Sequence, residues 1–259
     1  MSSPATGYFR PGDSWLHRRN PVTKILGVAW VLVAAFLLPP AVLVVLAALV
    51  VLAAATAGMI GPLLRSLRIP AVLVGSIVVV NALFYPGASE ILVRVGPFAV
   101  TAEGLTFGLL SAGRLLVAFI VLILFLLTTL ADDLLEALIA RGASHRLAFV
   151  VLSAVQMVPR IQARASAILE AQQARGLAVS GSIGVRIRAL FPLVAPILLG
   201  SLIDVRERTF ALEARGFGSR PGRTAYRVVP DPPVDRWLRL LVVAAIAVTI
   251  WLAVAGIGR

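Results

Sequence analysis

The sequence predicts an all-α, polytopic membrane protein with about five transmembrane helices. Between spans four and five it predicts a cytoplasmic pair of long amphipathic helices. Of the 259 residues, 59% are hydrophobic and only 14% are charged, and the mean hydropathy is +0.97, a balance that soluble domains do not have. The apolar residues form runs that suit a bilayer, and most of the arginines lie between those runs.

A polar segment, residues 1–24, precedes the first apolar region, residues 25–60. That region is too long for one span of about 20 residues. Pro39-Pro40 near its middle removes two helix donors. The pattern therefore predicts a hairpin of spans near 25–38 and 41–60, and a single long kinked helix is the alternative.

Further spans are predicted near 70–85, 105–130 and 237–259, with a Pro/Gly-containing loop at 86–104. Arg114 interrupts the apolar run 105–130. An ionisable residue inside a membrane is costly and often functional, but a long side chain can also extend to the outer interface. The sequence leaves both interpretations of Arg114 open.

The charge distribution predicts the orientation. Residues 1–24 carry four basic and one acidic residue, residues 61–69 carry two basic and none acidic, and residues 86–104 carry one basic and two acidic. Cytoplasmic segments of membrane proteins are enriched in basic residues. We therefore expect a multi-pass membrane protein with a membrane bundle at 25–130, and with its N-terminus and residues 131–236 in the cytoplasm.

Two amphipathic segments in this polar region end in the same three residues. Segment 160–176 ends in Ala174-Arg175-Gly176, and segment 201–216 ends in Ala214-Arg215-Gly216. A glycine past the last turn adopts the left-handed conformation at little cost, and the arginine lies where the helix dipole favours a cation. The pair predicts two helix ends that insert into partners. A third triplet, Ala140-Arg141-Gly142, lacks a long amphipathic lead-in and is interpreted as chance.

Several kinds of site are not expected. The chain has no cysteine, its two histidines, His17 and His145, lie far apart, and Lys24 is its only lysine, so neither a metal site nor a P-loop is predicted. The net charge of +12 would suit nucleic acid, but the basic residues flank apolar runs, which favours a lipid bilayer instead. We expect no catalytic residue, cofactor or metal in this chain, and no nucleic-acid partner.

The chain resembles one membrane-protein family over nearly its whole length. The matching segments run from Val158-Pro159-Arg160 to Gly176, from Ala189-Leu190-Phe191-Pro192 to Gly216-Phe217, and from Tyr8 to His17, followed by Asn20-Pro21 and Lys24. Together they are similar to the energy-coupling T component (EcfT/CbiQ-like) of energy-coupling factor (ECF) ABC transporters. That family typically has Asp before the N-terminal proline, so Asn20 is a departure.

The resemblance implies a non-catalytic scaffold subunit of an importer in the plasma membrane of a prokaryote. In this family two arginine-tipped coupling helices dock on two cytoplasmic ABC-type ATPases, which bind the ATP, and cradle a small substrate-binding membrane subunit, the S component. It implies Arg175 and Arg215 as the docking arginines, with tips shaped by Ala174, Gly176, Ala214 and Gly216. The substrate would be a vitamin or a transition-metal ion such as cobalt or nickel, chosen by the S component.

Two other functions are weighed against this one. A self-contained secondary transporter would be expected to show an inverted repeat with broken helices or a carboxylate inside a span, and neither is evident. A membrane enzyme would need a nucleophile with a base or a metal motif. The sequence also leaves open whether the apolar stretches 147–158 and 189–203 enter the membrane or lie at its surface.

Overall fold

A computed structural model describes residues 9–86, 91–95, 98–177, 183–217 and 229–256. Its elements are, in chain order, α1 (Pro21–Leu37), α2 (Pro40–Thr56), α3 (Ile60–Ser66), α4 (Arg68–Phe84), β1 (Ile91–Val95), β2 (Phe98–Thr101), α5 (Ala102–Thr128), α6 (Ala131–Ile139), α7 (His145–Ala174), α8 (Ile183–Ala214) and α9 (Pro233–Val254). They form two compact units. The first unit comprises Met1–Ala143 and Val229–Arg259, and the second comprises Ser144–Val228.

The helices of the first unit have the lengths and composition of a polytopic membrane protein. Within the described residues, α5 and α9 are long and apolar enough to cross a bilayer. Together, α3 and α4, bent by 58° at their junction, are apolar enough for a broken span or a re-entrant loop. The helices α1 and α2 are also apolar but have only 17 residues each. The predicted all-α polytopic fold class is confirmed, and the exact limits of the spans stay a prediction.

A sharp turn separates α1 from α2, as the two consecutive prolines predict. Leu38 ends α1 in an extended conformation, and Pro40 is the first residue of α2, where its missing N–H costs no helix hydrogen bond. The alternative of one long kinked helix is therefore wrong. The two helices pack with the second half of α5 around a core that contains Ala34, Ala35, Leu46, Ala54, Val117, Leu124 and Leu127.

The region predicted as a loop at 86–104 contains a β-hairpin. Strand β1 pairs antiparallel with β2, with Ile91 opposite Thr101 and Val95 opposite Phe98. The loop prediction was wrong here because it rested on the prolines and glycines of the region. Two short runs of β-branched and aromatic residues between them favour strands. Helix α5 also begins earlier than predicted, because the Thr101 side chain caps it by accepting a hydrogen bond from the Gly104 N–H, 3.3 Å away.

A buried polar network fastens the N-terminal segment of the first unit. The Lys24 Nζ donates to the Thr128 carbonyl at 2.7 Å and to the Thr129 hydroxyl at 3.3 Å, so the only lysine of the sequence fastens the start of α1 to the end of α5. The Asn20 N–H donates to Asp235 Oδ2 at 3.1 Å, beside the first turn of α9. These bonds satisfy helix-terminal groups that would otherwise be buried without partners.

Two long helices, α7 and α8, make up the helical part of the second unit. They have 30 and 32 residues and continue through Pro159 in α7 and through Pro192 and Pro196 in α8. The stretches 147–158 and 189–203 are thus parts of these long helices and not separate pieces. A proline inside a helix removes one donor, and the bonds on both sides of it can still hold a long helix together.

Candidate partner-docking ends of two long helices

Both long helices of the second unit end in the same local geometry. Gly176 and Gly216 have φ angles of 90° and 69°, in the left-handed region that glycine tolerates. The Leu177 N–H donates to the Gln172 carbonyl at 3.0 Å, and the Phe217 N–H donates to the Leu212 carbonyl at 2.9 Å. This is the Schellman motif, so each chain reversal follows directly on the arginine.

The arginines at these two ends are exposed and unengaged. Arg175 and Arg215 are solvent-exposed, as are the alanines Ala174 and Ala214 before them and the glycines after them. Within the part of the chain that the structure describes, neither guanidinium makes a hydrogen bond or an ion pair. Each end therefore presents a free permanent cation with five donors beside side chains too small to hinder a partner.

The third triplet has the same backbone but an occupied arginine. Gly142 has a φ of 96°, and the Ala143 N–H donates to the Leu138 carbonyl at 3.1 Å, which is again the Schellman pattern. The Arg141 guanidinium, however, donates to the Ala137 carbonyl at 2.8 Å and to Asp231 at 3.3 Å. The backbone motif is therefore the same at all three helix ends. They differ in whether the arginine is bonded to other described residues.

An ion pair joins the two long helices. Arg164 of α7 and Asp204 of α8 interact bidentately, with Nη1 3.0 Å from Oδ2 and Nη2 3.1 Å from Oδ1. The hydrogen bond from Arg164 holds the pKa of Asp204 below its usual range. Gly200 makes room for the guanidinium, because a Cβ there would lie 2.8 Å from Arg164 Nη1. The sequence interpretation missed this pair.

The two helices run antiparallel through this pair. The ring of Phe149, early in α7, lies 4.8 Å from the ring of Phe217, just past the end of α8. Arg175 follows Arg164 by eleven residues (175 − 164), and Arg215 follows Asp204 by eleven (215 − 204). Each end therefore lies about 16 Å along its helix from the ion pair, on opposite sides of it. The structure does not bring the two predicted docking arginines together.

Large apolar side chains remain uncovered along both helices. Those more than half exposed are Leu147, Val150 and Val158 on α7, and Phe191, Leu198, Leu199, Leu202, Ile203, Val205 and Phe210 on α8. Soluble monomeric proteins rarely expose contiguous apolar surface on this scale. The second unit thus combines two cationic ends with apolar helix surfaces, an arrangement suited to holding partners.

Comparison with known proteins gives the family. A family model described as the cobalt transport protein CbiQ matches residues 12–226, which is most of the chain. The chain belongs to this family.

Relatives of this CbiQ-family chain carry the name energy-coupling factor transporter transmembrane protein EcfT. One from Heliobacterium modesticaldum is 32% identical over 85% of this chain and 86% of its own length. Another from Leuconostoc gelidum is 31% identical over 91% of this chain and 92% of its own. The chain is thus an EcfT-type energy-coupling component of ECF transporters and a multi-pass membrane protein of a prokaryote.

A further similar protein has a different name. A Bifidobacterium longum protein described as an ABC transporter ATP-binding protein is 28% identical over 96% of this chain, and the match covers 33% of that protein. A region similar to this EcfT-type chain therefore occurs within a longer chain whose name refers to ATP binding.

Proposed function

We propose that this chain is the scaffold that links two cytoplasmic ATPases to a substrate-binding membrane subunit for uptake of a vitamin or transition-metal ion. The observation that carries the proposal is the matched pair of exposed arginines at the ends of α7 and α8, which have no partner in the described part of the chain. Two equivalent ends suit two equivalent sockets, as on a pair of ATPase subunits.

Arg175 and Arg215 are the docking groups in this proposal. A guanidinium can pair bidentately with a carboxylate or bond to backbone carbonyls in a groove, and the small residues on either side let the groove close around it. Loss of one such desolvated contact costs about 2–5 kcal/mol, much of it from the partner group that stays buried and unpaired. Removal of both should abolish docking.

The bidentate contact between Arg164 and Asp204 supports mechanical coupling between the two docking ends. Because α7 and α8 are fastened at this point, a displacement of one end by an ATPase is passed to the other helix. The uncovered apolar residues of the two helices would contact the S component. ATP-driven movement of the ATPase pair would then shift both helices and reorient that subunit in the membrane.

The ATPase partners have support from outside the site as well. The relative with an ATP-binding name contains a region that matches 96% of this chain. A scaffold and an ATP-binding region within one polypeptide would be expected if the two act together. In this proposal ATP hydrolysis occurs in the partners, the second unit faces the cytoplasm, and the S component selects the substrate.

A pull-down from native membranes tests the proposal. Tagged chain is extracted in mild detergent, and copurifying proteins are identified by mass spectrometry, for the unmodified chain and for Arg175→Glu with Arg215→Glu. We expect two ATPase protomers and a small apolar protein with the unmodified chain, and loss of the ATPases from the double variant. Arg65→Glu with Arg206→Glu is the charge-matched control and should keep the ATPases, since these exposed arginines lie in α3 and in the interior of α8.

The alternative functions have distinct outcomes. If the unmodified chain purifies alone and moves a solute by itself in liposomes, it is a self-contained transporter and the scaffold proposal fails. If the double variant retains the ATPases, the arginine ends are not the docking groups. The identity of the small apolar protein would indicate the class of substrate.

A further inference from the structure

We infer that Arg114 binds the headgroup phosphate of a membrane phospholipid, next to the turn between α1 and α2. Arg114 is the one basic residue of α5, which is among the longest apolar helices of the first unit. It lies twelve residues after Ala102 and fourteen before Thr128. Its Cα is therefore about 18 Å from one end of the helix and about 21 Å from the other.

The charge of Arg114 has no counterpart among the residues that the structure describes. Its side chain is half-buried and, among the residues that the structure describes, it makes no hydrogen bond or ion pair. An uncompensated cation at this depth of a bilayer costs about 2.5–3.5 kcal/mol on insertion scales, and more for an isolated helix in simulations. The guanidinium is therefore open to an anion supplied from outside the described part of the chain.

The helices beside Arg114 end close to its level. A Cβ on Gly113 would lie 3.2 Å from Leu43 Cδ2, and Leu43 is in the first turn of α2. The 17 residues of α1 and of α2 span about 25 Å, less than the hydrocarbon thickness of about 30 Å. Arg114 thus lies about one helical turn from the α1–α2 turn, where the bilayer is expected to thin to match the short helices.

The Arg114 side chain is directed toward the turn between α1 and α2. Lys24, near the start of α1, is bonded to Thr128 at the end of α5, so the α1–α2 turn lies toward the N-terminal end of α5. Side chains on an α-helix tilt toward the N-terminus of the helix. The guanidinium of Arg114 is therefore directed toward the leaflet whose boundary is lowered by the short helices, and its long stem can carry the charge to that boundary.

A lipid phosphate is the counterpart that these observations favour. Phosphate oxygens accept the paired donors of a guanidinium with good geometry. Headgroups surround the chain as soon as it enters the membrane, so the charge is compensated before any protein partner arrives. A carboxylate from a partner membrane protein is the competing source.

Native mass spectrometry of the full chain tests the inference. The purified chain in detergent is titrated with phosphatidylglycerol, and bound lipid is counted for the unmodified chain, Arg114→Leu, Arg114→Gln and Arg114→Lys. We expect Arg114→Leu and Arg114→Gln to lose one bound lipid, with the occupancy of that site reduced by about tenfold or more. Arg114→Lys should retain part of the binding. Arg206→Leu removes an exposed charge of the second unit and should bind as the unmodified chain does.

Further readouts decide between the sources of the anion. Inorganic phosphate at the same concentration should not displace the lipid, and displacement would contradict a headgroup site. Unchanged lipid counts in both Arg114→Leu and Arg114→Gln would overturn the inference. So would loss of a membrane partner from Arg114→Gln with no change in bound lipid, since that result assigns the anion to a protein. Arg114→Gln keeps a polar side chain, so its size-exclusion profile separates lost binding from lost folding.

Discussion

At the scale of single residues, two glycines allow α5 to lie directly against α4. A Cβ on Gly104 would come within 2.3 Å of the Asn81 carbonyl oxygen, and one on Gly108 would lie 3.2 Å from the Val78 backbone. Small residues at four-residue spacing are typical of close helix contacts in membranes. The spacing of Gly104, Gly108 and Ala112 is visible in the sequence, but the helix that it faces is not.

We predict that Gly104→Ala destabilises the protein by about 1–3 kcal/mol, because the added methyl group has no space against the α4 backbone. The measurement is the thermal unfolding temperature of detergent-solubilised protein, obtained from the fraction that stays monodisperse after heating at each temperature. Gly75→Ala in α4 is the matched control, since a Cβ there meets nothing within 4 Å. Equal unfolding temperatures for the two variants would contradict the close contact.

Asn20 shows why a departure from a family pattern can be structural. Its Oδ1 accepts a hydrogen bond from the Val22 N–H and caps α1, which an aspartate could also do. Its Nδ2 also donates to the Pro230 carbonyl at 3.2 Å, which an aspartate could not do when ionised. The amide thus connects positions 210 residues apart, a contact that the sequence did not indicate.

Asn81 shows that a polar residue in an apolar run need not contact another helix. A polar residue in an apolar run suggests a hydrogen bond between helices. In the structure its Nδ2 donates to the Ile77 carbonyl of the same helix, at 2.8 Å. An amide four residues after a helix carbonyl can reach that carbonyl without any partner helix, so the sequence pattern is ambiguous.

At the scale of elements, the Arg164–Asp204 pair is the feature of α7 and α8 with the clearest mechanical role. We predict that Asp204→Ala and Arg164→Ala each loosen the crossing of the two helices, and that the double variant is no worse than either single one. The chain has no cysteine, so Ala174→Cys with Ala214→Cys can carry spin labels at the two ends. Pulsed distance measurements should give a broader distribution in each variant.

The same experiment has a control and a pH dependence. Arg206→Ala, which removes an exposed arginine from α8, should leave the distribution unchanged. The hydrogen bond from Arg164 lowers the pKa of Asp204 in the folded chain. The pair therefore stabilises the helix crossing fully above the pKa of an unfolded aspartate, about 4, and this stabilisation is lost as the pH falls through the pKa of the folded chain. The unmodified chain should then approach the variants at low pH. A narrow distribution in both single variants would show that the pair is dispensable.

At the scale of the whole molecule, one charged cluster joins the two chain segments that make up the first unit. The chain leaves the first unit after Ala143 and returns to it at Val229. Asp231 pairs with Arg141 at 3.3 Å and bidentately with Arg239, at 2.7 and 3.0 Å. The residues just before the chain leaves the first unit and just after it returns are therefore held close together.

We predict that Asp231→Asn lowers the unfolding temperature by about 2–4 °C at neutral pH, a modest effect because the group is partly exposed. The Arg239 hydrogen bond lowers the pKa of Asp231 below its usual range, so this stabilisation is present above about pH 4 and is lost as the pH falls through the folded value. Thermal melts from pH 7 to pH 3.5 should therefore show the difference shrinking. Asp13→Asn, at an exposed carboxylate, is the control, and a pH-independent difference would contradict the assignment.

The sequence by itself determined the membrane class, the break between α1 and α2 and the two arginine-capped helix ends, because hydrophobic periodicity, proline geometry and glycine caps act within a few residues. The resemblance to the family rests on the same local segments. Only the tertiary structure decided that Arg141 is engaged while Arg175 and Arg215 have no partner among the described residues, and that Arg164 meets Asp204. Those differences depend on residues 40 and 90 positions apart in the chain, and the packing of helices, which no local pattern encodes, brings them together.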